Sequence, residues 1–168
     1  MAEQRQIHVR IWDDPDFEEY PPDGKLIFIH LITNKHITAS GVYPYTFKKI
    51  SDKTGIQKPD VMKLIEGPLS RCVYYDHKYH LIWVKNRLKY NPSGNPCVMI
   101  RSILNDYRKL RRSEIWDEYW EYNKNRIEKM IDKSEKLKSE ISAYQVILPD
   151  KLVESSLKVR QWLANHWN

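Results

Sequence analysis

A chain of 168 residues, 41% of them hydrophobic, can bury one sizeable core, and no apolar run in it approaches the ~20 residues that span a bilayer. The net charge of +6 is unevenly spread, with a net of −5 over residues 1–23, +12 over 24–112 and −1 over 113–168. Two cysteines, Cys72 and Cys97, and a start, MAEQRQIH, with no apolar signal core argue against a secreted, disulfide-built protein and for a cytoplasmic one.

In chain order, Ile7, Val9 and Ile11 alternate with polar or bulky neighbours, which predicts an edge strand or an extended arm. Asp13-Asp14-Pro15-Asp16 is a helix start, with an Asp cap, Pro in the first turn and acids near the positive helix end. Capping accounts for the acidic cluster Asp13, Asp14, Asp16, Glu18 and Glu19 more simply than a metal site does. Phe17 and Tyr20 are expected to fasten that short helix to the core. The apolar run Leu26–Ile32, entered through Pro21-Pro22-Asp23-Gly24, reads as a second helix.

A short alternating link, His36–Tyr43, precedes a helical pattern opened by Pro44, in which Phe47, Ile50 and, after the break, Ile56 are apolar and Lys48, Lys49, Asp52 and Lys53 polar. Thr54-Gly55 stops that helix, because Gly takes the left-handed position past a helix end without steric cost. Lys58-Pro59-Asp60 restarts one, and Val61, Leu64, Ile65 and Leu69 recur at helical spacing. After Gly67-Pro68 the period becomes strand-like: Cys72–Tyr75 and His80–Val84 flank the polar loop Asp76-His77-Lys78-Tyr79. Helix, short strand, helix, tight turn, helix and hairpin is the order of a winged helix.

Asn91–Pro96 is the clearest linker. Beyond it Val98, Ile100, Ile103, Leu104, Tyr107 and Leu110 predict a helical face, with Arg101, Arg108, Lys109, Arg111 and Arg112 largely off it. Ser113-Glu114 begins a long helix whose 3-4 repeat, Trp116, Trp120, Asn123, Ile127, Met130, Ser134, Leu137, Ile141 and Tyr144, resembles a coiled-coil seam. Either the seam pairs two subunits, with Asn123 setting register, or the helix folds back on its own domain. Oligomerisation through Trp116, Trp120, Asn123, Ile127, Met130, Leu137 and Ile141 is the favoured alternative. Pro149-Asp150 starts a last amphipathic helix carrying Trp162 and Trp167. The predicted class is therefore mainly α with a small β-hairpin (α+β): a winged helix-turn-helix over 1–92, a basic helix over 93–112, and long C-terminal helices over 113–168.

The runs RIWDDPDFEEYPPDGKLIFIHLITN (Arg10–Asn34), SGVYPYTFKKISDKTGI (Ser40–Ile56) and LIWVKNRLKY (Leu81–Tyr90) together resemble phage-type replisome organisers, whose N-terminal winged helix is related to that of DnaD-like primosomal proteins. The likeness covers about residues 7–92 and rests on the Trp-Asp start, the Gly-Val-Tyr link, the Thr-Gly turn and the strand ending Trp-Val-Lys-Asn. It implies DNA binding and self-association during replication initiation, with a replicative helicase or its loader as partner, in a bacterial or phage-infected cell. One departure is Gly67-Pro68, which sits where such helices run on and so shortens or kinks the reading helix.

The residues themselves point the same way. A basic middle segment on a winged helix favours a polyanion. Lys48, Lys49, Lys53, Lys78, Lys85, Arg87 and Lys89, with Arg108 and Arg111 on the following helix, supply charge. Gln57, Lys58 and Lys63 supply the exposed face of the reading helix, which lacks an Arg to grip guanine bidentately. Binding is thus expected to be weakly sequence-specific and salt-dependent, to duplex DNA, single strands or both. Tyr74, Tyr75, Tyr79 and Tyr90 are candidates for stacking on unpaired bases. No Gly-Lys-Thr/Ser loop is present, and Cys72, His77 and His80 match no common zinc spacing. No enzyme activity, cofactor, metal or membrane partner is expected. A dimeric winged-helix transcriptional regulator is the second reading, and a protein–protein adaptor the third.

Overall fold

The computed structural model describes residues 7–90, 95–110 and 113–132, apart from the side chains of Cys97 and Asp132. The chain divides into two compact units, Met1–Tyr90 and Asn91–Asn168. The segments expected as a basic helix and a long helix thus belong to one unit. The fold is mostly helical with one small antiparallel sheet, an α+β chain.

The first unit opens with a 3-10 turn, Val9–Asp13, where alternation had predicted a strand or arm. Local bonding decides this: His8 Nδ1 accepts from Arg10 N at 3.2 Å, and Ile11 N donates to the His8 carbonyl at 3.0 Å. Helix α1 (Pro15–Glu19) is capped as expected, with Asp14 Oδ1 accepting from Asp16 N and Phe17 N. Its Phe17 and Tyr20 are buried, and they hold α1 against α2 (Pro22–Thr33), where Phe28 meets both rings at 5.9 and 6.0 Å. Asn34 ends α2, its side-chain amide donating to the carbonyls of His30 and Leu31.

Strand β1 is Val42–Pro44, so Pro44 closes a strand and does not open the next helix. In the three-stranded sheet β1 pairs only with Leu81–Val84 and so lies at an edge, where a residue without an N–H is tolerated. Helix α3 (Phe47–Thr54) starts three residues later, with Thr46 Oγ1 accepting from Lys49 N at 3.2 Å. Gly55 ends it with φ +77°, the left-handed position expected from Thr54-Gly55. Helix α4 (Lys58–Glu66) follows at once and stops at Gly67. A Cβ on Gly67 would lie 2.8 Å from the Lys63 carbonyl oxygen, so only glycine fits this stop. Helix α4 is short, as Gly67-Pro68 implied.

Strands β2 (Val73–Asp76) and β3 (Leu81–Val84) form the expected hairpin, with Val73 opposite Val84 and Asp76 opposite Leu81. β3 also pairs with β1, Tyr43 opposite Ile82, which makes it the central strand. All four β3 residues are buried. The core joins Ile27 and Leu31 of α2, Ile50 of α3, Val61 and Ile65 of α4, and Ile82 and Val84 of β3, alternate residues on one side of the sheet. Each such side chain contributes about 1.5–3 kcal/mol when fully buried, so this is the energetic centre of the unit. A short helix α5 (Arg87–Tyr90) ends it.

In the second unit α6 (Pro96–Leu110) buries Met99, Ile100, Ile103 and Leu104. Val98, expected on that face, is 51% exposed. It lies two residues before Ile100, about 200° round a helix of 3.6 residues per turn, and so points away. Helix α7 (Ile115–Asp132) begins at the expected cap, Ser113 Oγ accepting from Ile115 N at 3.2 Å. Trp116 packs edge-on against Tyr107 of α6 at 5.4 Å and donates through Nε1 to the Leu110 carbonyl. Among the described residues no helix is long and apolar enough to cross a membrane.

Candidate nucleic-acid interface

The first unit gathers α3, α4 and the hairpin loop around one aromatic contact. Phe47, the first residue of α3, stacks on Tyr75 of β2 with ring centroids 3.9 Å apart. His77, at the start of the loop, meets both rings edge-on, at 5.8 Å from Phe47 and 5.0 Å from Tyr75. Its Nε2 lies 2.9 Å from Glu66 Oε1, at the last residue of α4. The loop is built for this position. Asp76 Oδ1 accepts from Lys78 N and Tyr79 N at 2.8 and 3.0 Å, and His80 takes a left-handed φ of 52°. His80 Nδ1 then sits 2.9 Å from the Tyr75 hydroxyl, closing the loop back on its strand.

On this framework the expected cations fall into separate groups. Lys48, Lys49 and Lys53 are exposed on α3, Gln57 and Lys58 at the start of α4, Lys63 further along it, and Lys78 on the hairpin loop. Lys78 Nζ lies 5.2 Å from the Tyr79 ring centroid, so charge and aromatic surface sit side by side at the loop. Both acids of α4 have close neighbours: Lys63 Nζ is 3.5 Å from Asp60 Oδ1, and the His77 imidazole lies against Glu66. The Lys63 ammonium offsets the negative charge of Asp60.

Lys85, Arg87 and Lys89 do not join that group. They follow β3, at the end of the hairpin opposite its loop, where Lys85 N donates to the Cys72 carbonyl at 2.9 Å. Lys85 and Arg87 are half-buried. This end also holds acids: Arg71 pairs with Asp16 at 3.2 Å and Glu19 at 3.8 Å, and the Tyr90 hydroxyl donates to Asp14 at 2.9 Å. Arg108 is exposed on α6 in the second unit, and Arg111 lies outside the described residues. Of the candidate stacking tyrosines, Tyr74 and Tyr75 are half-buried in the sheet, while Tyr79 and Tyr90 are exposed.

Cys72 and the loop histidines do not converge. Cys72 is buried before β2, its Sγ 3.7 Å from Asn86 Nδ2 and 3.9 Å from Asp16 Oδ2, whereas His77 and His80 lie past the other end of that strand. Burial, the largest influence, pushes its thiol above the ordinary range. Among the described residues no group of three His, Cys, Asp or Glu is placed to hold a metal ion.

Trp116, Trp120, Asn123 and Ile127, the described start of the seam, are buried within the single chain. Asn123 Nδ2 donates to the Tyr119 carbonyl of its own helix at 3.1 Å. The buried line continues through Ile131, and Met130 is half-exposed. Trp116 and Trp120 are covered by Tyr107 of α6, within the same unit, at 5.4 and 5.6 Å. Leu137 and Ile141 lie outside the described residues.

Sequence reasoning did not single out a second basic group. Tyr45, between β1 and α3, has the rings of His30 and His36 at 5.7 and 5.6 Å and Lys49 Nζ 5.8 Å from its own centroid. No periodicity signals this, because the four residues come from separate elements.

No protein-family model, curated protein or solved structure matches the chain.

Proposed function

We propose that this is a DNA-binding protein of replication initiation, built on a winged helix, that contacts DNA through α3, α4 and the β2–β3 loop. What carries the reading is the order α2-β1-α3-α4-β2-β3 with sheet order β1-β3-β2, together with exposed Lys48, Lys49, Lys53, Lys58, Lys63 and Lys78 on the two helices and the loop. In such a module the second helix of the turn enters the major groove, and wing and flanking lysines touch phosphate. The face of α4 has no arginine to grip guanine bidentately, and its Lys63 lies against Asp60, a composition that favours backbone contact over base readout.

The resemblance of residues 7–92 to replisome organisers and DnaD-like primosomal proteins supplies the biological role: assembly on DNA in the cytoplasm of a bacterial or phage-infected cell, and recruitment of a replicative helicase or its loader. The second unit is then the part that engages protein partners, including further copies of the chain. A dimeric regulator paired through α7 is less well supported, since Trp116, Trp120 and Ile127 are already covered within one chain. Changing Lys48, Lys49 and Lys53 together to Glu tests the reading. Affinity should fall by a similar factor on unrelated sequences, and the salt slope should flatten by about one per lost phosphate contact. Unchanged affinity would reduce these lysines to a solvated helix face.

A further inference from the structure

The group around Tyr45 lies on the α2–α3 side of the module and brings together residues from three places in the sequence. Lys35 and His36 stand in the link after α2, where Asn34 Oδ1 accepts from His36 N at 2.8 Å and fixes the turn. Lys49 and Lys53 come from α3, one turn apart on the same face. His30, on α2, holds the Tyr45 hydroxyl at 2.9 Å through Nε2. Lys35, His36, Lys49 and Lys53 are all exposed. Among the described residues none of these three lysines has a carboxylate partner. Concentrated, unneutralised positive charge on a compact surface is costly unless an anion occupies it, and a rigid Tyr45 platform holds it in place.

We propose that Lys35 and His36 join Lys49 and Lys53 of α3 in a phosphate-binding patch on the α2–α3 side, which takes backbone phosphates of the same nucleic acid beyond the surface offered by α4 and the hairpin loop. This rests on the nucleic-acid reading above. The patch needs no base: its donors are ammonium groups and an imidazole, which suit phosphodiester oxygens and carry no sequence information.

His36 makes the contact proton-linked. The groups facing it are Lys35 beside it, Lys49 from α3 and the Tyr45 ring; His30 lies on that same ring. Partial desolvation first, then Lys35 and Lys49, hold its imidazole below the ordinary histidine range, with no carboxylate acting the other way. A bound phosphate reverses that balance and raises it. Between the free and bound values binding takes up a proton, so affinity falls as pH rises, by up to about tenfold per pH unit for one linked group.

The test uses the full chain and a labelled DNA duplex at low salt, at about pH 5.5 and about pH 7.5. His36→Gln keeps a donor but cannot ionise, and it sits in an exposed link, so folding is not at stake. Wild type should tighten severalfold more than His36→Gln on acidification. The Lys35→Gln/Lys49→Gln variant should bind severalfold more weakly at both pH values, with a salt slope shallower by about one to two. Identical pH profiles for wild type and His36→Gln, with the lysine variant within twofold of wild type, overturn the patch alone. Absence of any duplex binding by wild type sinks the nucleic-acid reading, and the patch with it.

Discussion

Glu66 and His77 lie 2.9 Å apart, joining the last residue of α4 to the first residue of the hairpin loop. Both side chains are about half exposed, so solvent screens the pair and it contributes at most about 1 kcal/mol to stability. Its weight falls on geometry: it orients the loop against α4. Glu66→Gln is therefore expected to leave the thermal midpoint of the protein nearly unchanged. Hydrogen exchange at Lys78 and Tyr79 should speed up, and a Glu66→Gln chain with unaltered loop exchange would show that the pair orients nothing.

The aromatic contact beneath that pair is a different matter. Phe47 is buried and stacked on Tyr75, so Phe47→Ala removes a large apolar side chain and leaves a cavity. A loss of about 3–5 kcal/mol is expected from denaturant unfolding. A loss below about 1 kcal/mol would mean that the Phe47 site collapses freely or was never filled.

Two glycines with similar φ should respond unequally to alanine. Gly55, φ +77°, has nothing within 4 Å of the added Cβ, so Gly55→Ala meets only backbone strain, about 1–2 kcal/mol. Gly41, φ +82°, would also place that Cβ 2.8 Å from Arg87 Cβ and 2.9 Å from the Val84 carbonyl. Gly41→Ala should thus be clearly the more destabilising, and equal midpoints would contradict the close approach of α5 to the β1 link.

Alkaline pH offers a further readout of the core. Tyr43 is buried, donates to the Leu31 carbonyl at 2.8 Å and accepts from Asn34 Nδ2 at 3.0 Å. Burial, the largest influence, raises its phenol well above the ordinary 10.0, and the Asn34 bond acts the other way. For a group raised in the folded state, the stabilisation is complete below the unfolded value of 10.0 and disappears as pH climbs above it. Unit 1 should lose stability progressively above about pH 10, and Tyr43→Phe should soften that loss while costing about 1–3 kcal/mol at neutral pH. A pH titration by circular dichroism that gives the same alkaline decline in both proteins would refute the role of Tyr43.

In the second unit the buried face of α7 makes Ile127 a stability position. Ile127→Asp is expected to lower the thermal midpoint sharply, with no change of mass by light scattering before unfolding. A folded Ile127→Asp chain of lower mass than wild type would restore the intersubunit seam.

How much of this was legible beforehand follows from the range of each interaction. The Asp14 cap, the Thr54-Gly55 stop, Pro59 in the first turn of α4 and the β2–β3 strands are local signals, and each falls where its sequence placed it. Pro44 carries no local strand signal, because its place in β1 depends on an edge set by pairing with β3, nearly forty residues on. The seam registered on Met130 and not Ile131 because a fixed 3-4 repeat drifts against 3.6 residues per turn. The Tyr45 group and the Glu66–His77 pair join residues from separate elements, and no local pattern encodes them. Sorting the lysines needed the hairpin itself, which sends Lys78 to one end and Lys85 to the other.

The most direct measurement is fluorescence anisotropy of two unrelated labelled duplexes and one single strand, titrated with the protein at about 50 mM and about 200 mM salt. Binding should occur at the lower salt with similar affinity for both duplexes and weaken steeply at the higher. The Lys48→Glu/Lys49→Glu/Lys53→Glu protein should bind weakly at either salt. No anisotropy change with any of the three nucleic acids at the lower salt would contradict a DNA-binding role for α3, α4 and the hairpin loop.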